Sequence, residues 1–287
     1  MKERILNELH RIEQHFNVKV LFASESGSRA WGFSSKDSDY DVRFVYMRNP
    51  TDYLLLSRVP DVIDSNNLFT LKEVEQNSTT KNAVEASFTC WEHPLDFVGW
   101  DIRKYAYACM KSNSQAYEWA NSPIQYVETP SFVNELFPLL TKWFDRKAAH
   151  YHYFNMGRTA LTSARATNSV KYCLYALRCF LASYYSGLYK IYPPVPLEDL
   201  IDAFALRSEP VFRRVPDLYK FLLNEKISEV AKVDLSPEHW SVFDELIFYT
   251  SDRSLRMGEM RSVNDQLQPG YPDYNQFVKR QFMLWNR

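Results

Sequence analysis

The run SDYDVRFVYM sets the tightest condition on how this chain can fold. Three aspartates, Asp37, Asp39 and Asp41, stand at alternate positions where an apolar strand is about to begin. Side chains two apart on a strand share a face, so Asp39 and Asp41 would present two carboxylates together while Tyr40 and Val42 turn toward the core. Held that close, the carboxylates repel unless a cation lies between them, and hard oxygen ligands with open coordination positions suit Mg2+. The bland alternative is a solvated acidic loop in which Asp37 starts a turn.

Upstream, VKVLFASE alternates as a short strand and runs into ESGSRAWGF. That segment reads as a turn feeding a helix of about two turns. Gly27 permits close backbone approach and Ser28 offers a hydroxyl, so backbone N–H groups at the helix start could cradle a phosphate. Gly32 reads as the residue that ends this helix. A phosphate cradle facing a carboxylate pair implies phosphoryl chemistry. In two-metal transfer the ions activate the attacking oxygen and neutralise the leaving pyrophosphate, and a third carboxylate completes the site. Asp96 is the leading candidate because it lies inside the apolar run PLDFVGW, where an unpaired charge is costly. Asp101 is the second candidate, although its place before a helix gives it an ordinary capping role. Glu92 reads as a turn residue.

Composition narrows the class without choosing a ligand. With 34 Lys and Arg against 35 Asp and Glu, the net charge of -1 means that any nucleic-acid site must be a local patch. The apolar fraction of 46% supports a folded core in a chain of 287 residues, which is long enough for two lobes. The four cysteines, Cys90, Cys109, Cys173 and Cys179, form no CxxC pair, and free thiols are expected. The charged N-terminus does not resemble a signal peptide and no apolar run reaches membrane-spanning length, so a soluble, cytoplasmic protein, or one made inside a host cell, is expected.

Along the chain, Ile5, Leu9, Ile12 and Phe16 repeat at helical spacing. A second strand, YDVRFVYM, follows the acidic loop, and a short helix is expected in YMRNPTDYLLL. Residues 64–82 are polar and read as an insertion or loop. VEASFTCW and PLDFVGW suggest an antiparallel hairpin. DIRKYAYACMKSN and SQAYEWANS read as helices, and from about residue 129 helices separated by proline breaks suggest an all-helical lobe. The expected division is 1–128 and 129–287.

Several cations carry two readings. Arg29 could pair with Glu25 at the surface or reach a phosphate, with Glu25 ordering the loop. Arg43, two beyond Asp41, could neutralise the carboxylates or contact a triphosphate. Arg103 and Lys104 fall in the first turn of a helix, where the helix dipole disfavours cations, which hints at an anionic ligand or at plain exposure. In VKYCLYALR, Lys171, Tyr175 and Arg178 share one helix face and could hold base, sugar or triphosphate. Otherwise this is an exposed amphipathic helix with Tyr172 and Leu174 packed inward. His150 and His152 lie on different faces of a helix and do not suggest a metal site, although one could line a cleft.

These blocks carry a resemblance. Gly27-Ser28, a ten-residue spacer and Asp39-Tyr40-Asp41-Val42, with a distal aspartate on a later strand, resemble the nucleotidyltransferase signature of the DNA polymerase beta superfamily. ESGSRAWGF, SDYDVRFVY, GWDIRK, YEWANSPIQY and VKYCLYALR more closely resemble the RNA repair pathway DNA polymerase beta family, over roughly residues 22–195. The resemblance implies an α+β fold, a polymerase-beta-like lobe of mixed sheet and flanking helices followed by a helical lobe. It implies two Mg2+ (or Mn2+) ions on Asp39, Asp41 and Asp96, and NTP phosphates at Gly27 and Ser28. The spacing between the DxD strand and Asp96 is long and polar here, so the third carboxylate is assigned by context. Nucleotidyl transfer from an NTP to an RNA 3′ end, a tRNA foremost, is the expected activity. Transfer to a protein hydroxyl, as in adenylylating toxins, or a catalytically silent nucleotide-binding module, are the alternatives, since the fold alone does not select the acceptor.

Overall fold

The computed structural model describes residues 1–56, 59–64, 95–189, 191–258 and 270–285. The expected strand VEASFTCW, with Cys90 and Glu92, lies outside the described residues. Five described strands, β1 (Val18–Ser26), β2 (Tyr40–Arg48), β3 (Val62–Asp64), β4 (Leu95–Asp101) and β5 (Gln125–Glu128), form one sheet in the order β3-β4-β2-β1-β5. β2 and β4 run parallel and the other neighbours antiparallel, so the sheet is mixed.

Side-chain alternation sorts the sheet into two faces. Val42, Phe44 and Tyr46 of β2, with Leu95 and Phe97 of β4, pack on one side against Ile5, Leu9 and Ile12 of α1 (Lys2–Phe16). Full burial of such side chains stabilises by roughly 1.5–3 kcal/mol each. Val45 and Met47 point the other way. There they join Ile102 and Tyr105 of α3 (Ile102–Met110), Trp119 of α4 (Ser114–Ala120) and Phe132 of α5 (Pro130–Lys142). A register shift between Val20 and Phe22 lets Leu21 and Phe22 both reach that second face. Tyr274 and Phe277 of α11 (Tyr271–Met283) complete it, so the core on this side draws on residues well beyond 128.

The remaining helices are α6 (Arg146–Thr167), α7 (Val170–Leu188), α8 (Leu197–Asp202), α9 (Pro210–Ile227) and α10 (Pro237–Gly258). α6 and α7 form a hairpin whose turn is set by Asn168 in the left-handed conformation (φ 54). They approach closely at Gly157, where a Cβ would lie 3.0 Å from the Phe180 ring. α7 is buried along most of its length and is the centre of a second core that takes in Leu200, Phe212, Leu218 and Phe243. Cys109, Cys173 and Cys179 are free and buried, and burial pushes the Cys173 thiol up to about 11 and Cys179 up to about 12. They are inert packing residues. No described helix is long and apolar enough to cross a membrane.

The structure departs from the expected elements at short, weakly patterned segments. β3 and β5 are edge strands of three and four residues without clean alternation, which is why hydrophobic periodicity does not reveal them. YMRNPTDYLLL yields only a 3-10 turn at Pro50–Leu54.

Candidate active site

Asp41 lies directly opposite Asp96 in the parallel register of β2 and β4. Both side chains belong to the face turned away from α1, because their neighbours Val42 and Phe97 face it. Like charges so placed destabilise a sheet unless balanced. The balance comes from Arg43, one pleat further along β2: its Nη2 donates to Asp41 Oδ1 and to Asp96 Oδ2, each at 2.9 Å, and its Nη1 donates to the Asp96 carbonyl at 3.1 Å. Of the two readings of Arg43, the structure displays neutralisation of the carboxylates. The arginine side chain is 17% exposed, Asp41 27% and Asp96 47%, so the cluster sits on an open rim that solutes can reach. Burial pushes the Asp41 carboxyl above its ordinary value; Arg43 opposes this, and Asp96 and Asp39 add to it. Asp39 is exposed, just before β2 begins.

The start of β2 is held from β1. Asp41 N–H donates to Glu25 Oε1 at 2.8 Å, and the Tyr126 hydroxyl donates to Glu25 Oε2. Glu25 is fully buried, and burial raises its carboxyl above the usual range. Ser122 Oγ donates to the Glu25 carbonyl at 2.6 Å, which ties this residue to the entry of β5. Glu25 therefore orders the loop, one of its expected roles. Next to it, Gly27 has φ +62, and a Cβ there would fall 2.0 Å from Asp41 Oδ2. Glycine is required because the Asp41 carboxylate fills that space. The helix that follows, α2 (Gly27–Ala30), is a single turn, shorter than the two turns expected. Gly32, at φ +82, lies just beyond its C-cap, as expected. Ser28 sits in this turn, with its carbonyl accepting from Phe33 N–H at 3.0 Å.

Arg29 is engaged in shaping the acidic turn. Its Nη2 donates to the Ser38 carbonyl at 2.7 Å and its Nε to the Asp39 carbonyl at 3.1 Å, while the guanidinium lies 3.7 Å over the Tyr40 ring. Lys171, exposed at the start of α7, lies close enough to Asp41 to lower its carboxyl electrostatically. Lys226, near the end of α9, feels both Asp37 and Asp39; burial and the neighbouring Lys171 hold its ammonium below the usual value. Lys226 was not expected from sequence, because nothing in α9 marks which lysine the fold brings to the rim.

Tyr175 stacks edge-on against Trp31, with ring centroids 4.9 Å apart. Arg178 departs from both readings of its helix face, a surface open to base, sugar or triphosphate and a solvent-exposed one. It is 1% exposed, donates through Nη1 to Glu118 Oε1 at 2.8 Å and through Nε to the Val195 carbonyl at 3.0 Å, and lies 4.7 Å over the Trp31 ring. The shared face runs from exposed Lys171 to buried Arg178, and only its Arg178 end is turned into the protein beside α4. Of the two residues that the amphipathic-helix alternative packs inward, Leu174 is buried and Tyr172 is 39% exposed.

Lys104 and Arg103 are placed elsewhere. They follow the far end of β4, five residues from Asp96 and so about 16 Å along the strand. Lys104 pairs there with Asp61 at 3.2 Å, and Arg103 lies 5.7 Å over Tyr53. Their charge answers local acids rather than a ligand at the rim. Asp101 caps α3 through Arg103 N–H at 2.8 Å and accepts from the Tyr53 hydroxyl at 2.6 Å, so Asp96 and not Asp101 meets Asp41. His150 is buried against the Ser183 carbonyl at 2.9 Å.

Among the described residues no group of three or more His, Cys, Asp or Glu side chains is gathered around a single point at metal-binding distance. The donor set nevertheless fits a hard divalent cation. Asp41 is crowded by the charges of Asp39 and Asp96, all donors are carboxylate oxygens on an accessible rim, and the counter-charge in direct contact with Asp41 and Asp96 is a single side chain, Arg43.

The model of the RNA repair pathway DNA polymerase beta family matches residues 1–234. An uncharacterized protein of Bacillus subtilis (strain 168), YcgL, is 32% identical over 237 residues, covering 82% of each chain. With a glycine turn, an Asp-x-Asp strand entry and a facing aspartate on one mixed sheet, the chain belongs to the RNA repair pathway DNA polymerase beta family.

Proposed function

We propose that this protein is a metal-dependent nucleotidyltransferase that moves a nucleoside monophosphate from an NTP to a hydroxyl at an RNA 3′ end, a tRNA foremost. The observation that carries the reading is the register pairing of Asp41 with Asp96, bridged by Arg43 and abutting the Gly27 turn. Family membership supports the polymerase-beta-like chemistry and the link to RNA repair. Lys171 and Lys226 beside the acidic turn support a polyanionic substrate.

Asp39, Asp41 and Asp96 would hold two Mg2+ or Mn2+ ions, which when bound supply charge neutralisation on the phosphates and make the attacking hydroxyl more acidic. Arg43, which balances Asp41 and Asp96 here, would with the carboxylates so neutralised be available to contact the triphosphate. Backbone N–H groups of the Gly27-Ser28 turn orient the phosphates. Lys171 and Lys226 offset the charge of the departing pyrophosphate. Asp96, the most exposed of the three paired groups, takes the proton of the acceptor hydroxyl as its oxygen bonds to the α-phosphorus and the bond to the β-phosphate oxygen breaks. Glu25 and Arg29 are positioning residues that fix the entry of β2.

The test is incubation of the purified chain with each α-labelled NTP, Mg2+ or Mn2+, total RNA and cell lysate, followed by separation of RNA from protein. Label in RNA, removable by 3′ exonuclease, is expected. Label in protein would overturn the acceptor in favour of protein nucleotidylation, and label in neither would overturn the transferase reading.

A further inference from the structure

A groove of about 910 Å³ lies at the far end of the sheet from the carboxylate rim, lined by α3, α11 and residues between 52 and 61. Met110 of α3 and Val278 and Phe282 of α11 give it apolar walls, and Leu55 and Leu56 also line it. These two leucines are bare: Leu55 is 57% exposed and Leu56 107%, and Leu54 just before them is 83% exposed. Met283, 75% exposed, follows Phe282, whose ring lies 4.8 Å from that of Tyr53. Single leucines scattered over a surface need no explanation, whereas apolar side chains gathered about a groove with a polar rim mark a contact surface.

The charges around the groove select its occupant. Arg48, Arg103, Lys104 and Lys279 line it together with Asp52, Asp61 and Asp101, so the two signs nearly balance. Lys104 pairs with Asp61, and Asp101 accepts from the Tyr53 hydroxyl and the Arg103 N–H. That leaves Arg103 and Lys279 of one sign and Asp52 of the other without a direct ion pair among the described residues. A polyanion such as RNA, or an acidic protein, would meet Asp52 and Asp61 as well as the cations, at a cost in repulsion. A second copy of the chain escapes that conflict. Across a two-fold axis the patch meets itself, so Asp52 of one copy can approach the cations of the other, and each leucine turn has a groove to enter. The size is also suitable: twenty residues line the groove, within the roughly 20–30 a side of a standard interface.

We propose that this face joins two copies of the chain in a two-fold homodimer, with Leu55 and Leu56 of each copy seated in the α3–α11 groove of the other. The interface is separate from the carboxylate rim and does not depend on the transferase reading. Because Leu55 and Leu56 are exposed, replacing them alters the surface without opening the core. Leu206 is 101% exposed and does not line the groove, so it controls for the loss of any bare leucine.

The full chain is followed by sedimentation equilibrium over a concentration series as wild type, as the double variant Leu55→Glu/Leu56→Glu and as Leu206→Glu, with circular dichroism to confirm the fold of each. Wild type is expected to approach twice the mass of one chain. The double variant should associate at least about 100-fold more weakly, the scale for losing two interface anchors, while Leu206→Glu matches wild type. In a mixture of isotopically light and heavy chains, a photo-cross-linker placed at position 56 should join one copy to α3 or α11 of the other. A wild type that keeps the mass of one chain throughout the series would overturn the proposal, whether RNA, another protein or the chain's own residues cover the patch. A dimer that survives the double variant, or is lost equally in Leu206→Glu, would also overturn it, as would cross-links confined to single chains.

Discussion

Two arginines, Arg43 and Arg178, each carry the counter-charge for buried or half-buried carboxylates, yet they sit in opposite surroundings. Arg43 bridges Asp41 and Asp96 on an open rim, 17% exposed, with two acids for one guanidinium. Arg178 pairs with Glu118 at 1% and 8% exposure, and that same carboxylate accepts from the Tyr153 hydroxyl at 2.7 Å and from Trp31 Nε1 at 3.1 Å. The difference separates a replaceable cation from a fixed one. Water and solutes can substitute for Arg43, because the pair is screened and one acid is in excess. Nothing described can substitute for Arg178, whose pair joins α7 to α4 and to the residue after α2. One arginine marks where chemistry could occur; the other sets the geometry around it.

The largest expected effect comes from breaking the sealed pair. Glu118→Ala leaves a buried guanidinium uncompensated and should cost about 3–5 kcal/mol, read as a lower urea midpoint with unchanged slope. A loss below 1 kcal/mol would erase the contrast between the two sites. Gly27→Ala should cost about 1–2 kcal/mol from left-handed backbone strain alone. It should also displace the Asp41 carboxylate and weaken Mg2+ binding, as measured by calorimetry. Arg43→Met should have the smallest effect on stability, within about 1 kcal/mol. Because it leaves Asp41 and Asp96 facing each other unbalanced, Mg2+ should raise its melting temperature more than that of the wild type. An equal or smaller Mg2+ shift would mean that the arginine and the cation do not compete.

How much of this the sequence discloses depends on distance along the chain. The Asp39/Asp41 alternation, the Gly27 turn and the β1 and β2 strands are local patterns, and they read directly from spacing. The choice of Asp96 over Asp101 was legible because a carboxylate inside an apolar strand needs a reason, whereas Asp101 has one as a helix cap. Arg178 was read on the right helix face but with the wrong surroundings. Periodicity gives the face, while only packing against α4 reveals that it is buried. The partnership of Glu25 with Tyr126, 101 residues apart, and the arrival of Lys226 near Asp39, leave no local trace at all. α2 ends within one turn at Trp31, whose carbonyl accepts from Leu197 N–H at 2.9 Å, a long-range tie with no local trace.

The most direct test of the open rim as a metal-dependent transfer site is the rate of nucleotide transfer from α-labelled NTP to RNA by wild type and Asp41→Asn, each with Mg2+ and with excess chelator. Asp41→Asn preserves shape and removes one charge, so its urea midpoint should stay close to that of the wild type. Wild type should transfer label only with the divalent ion, and the variant should be slower by at least about 100-fold, the scale expected when charge stabilisation of a transition state is removed. A well-folded Asp41→Asn chain that transfers at the wild-type rate would contradict the account.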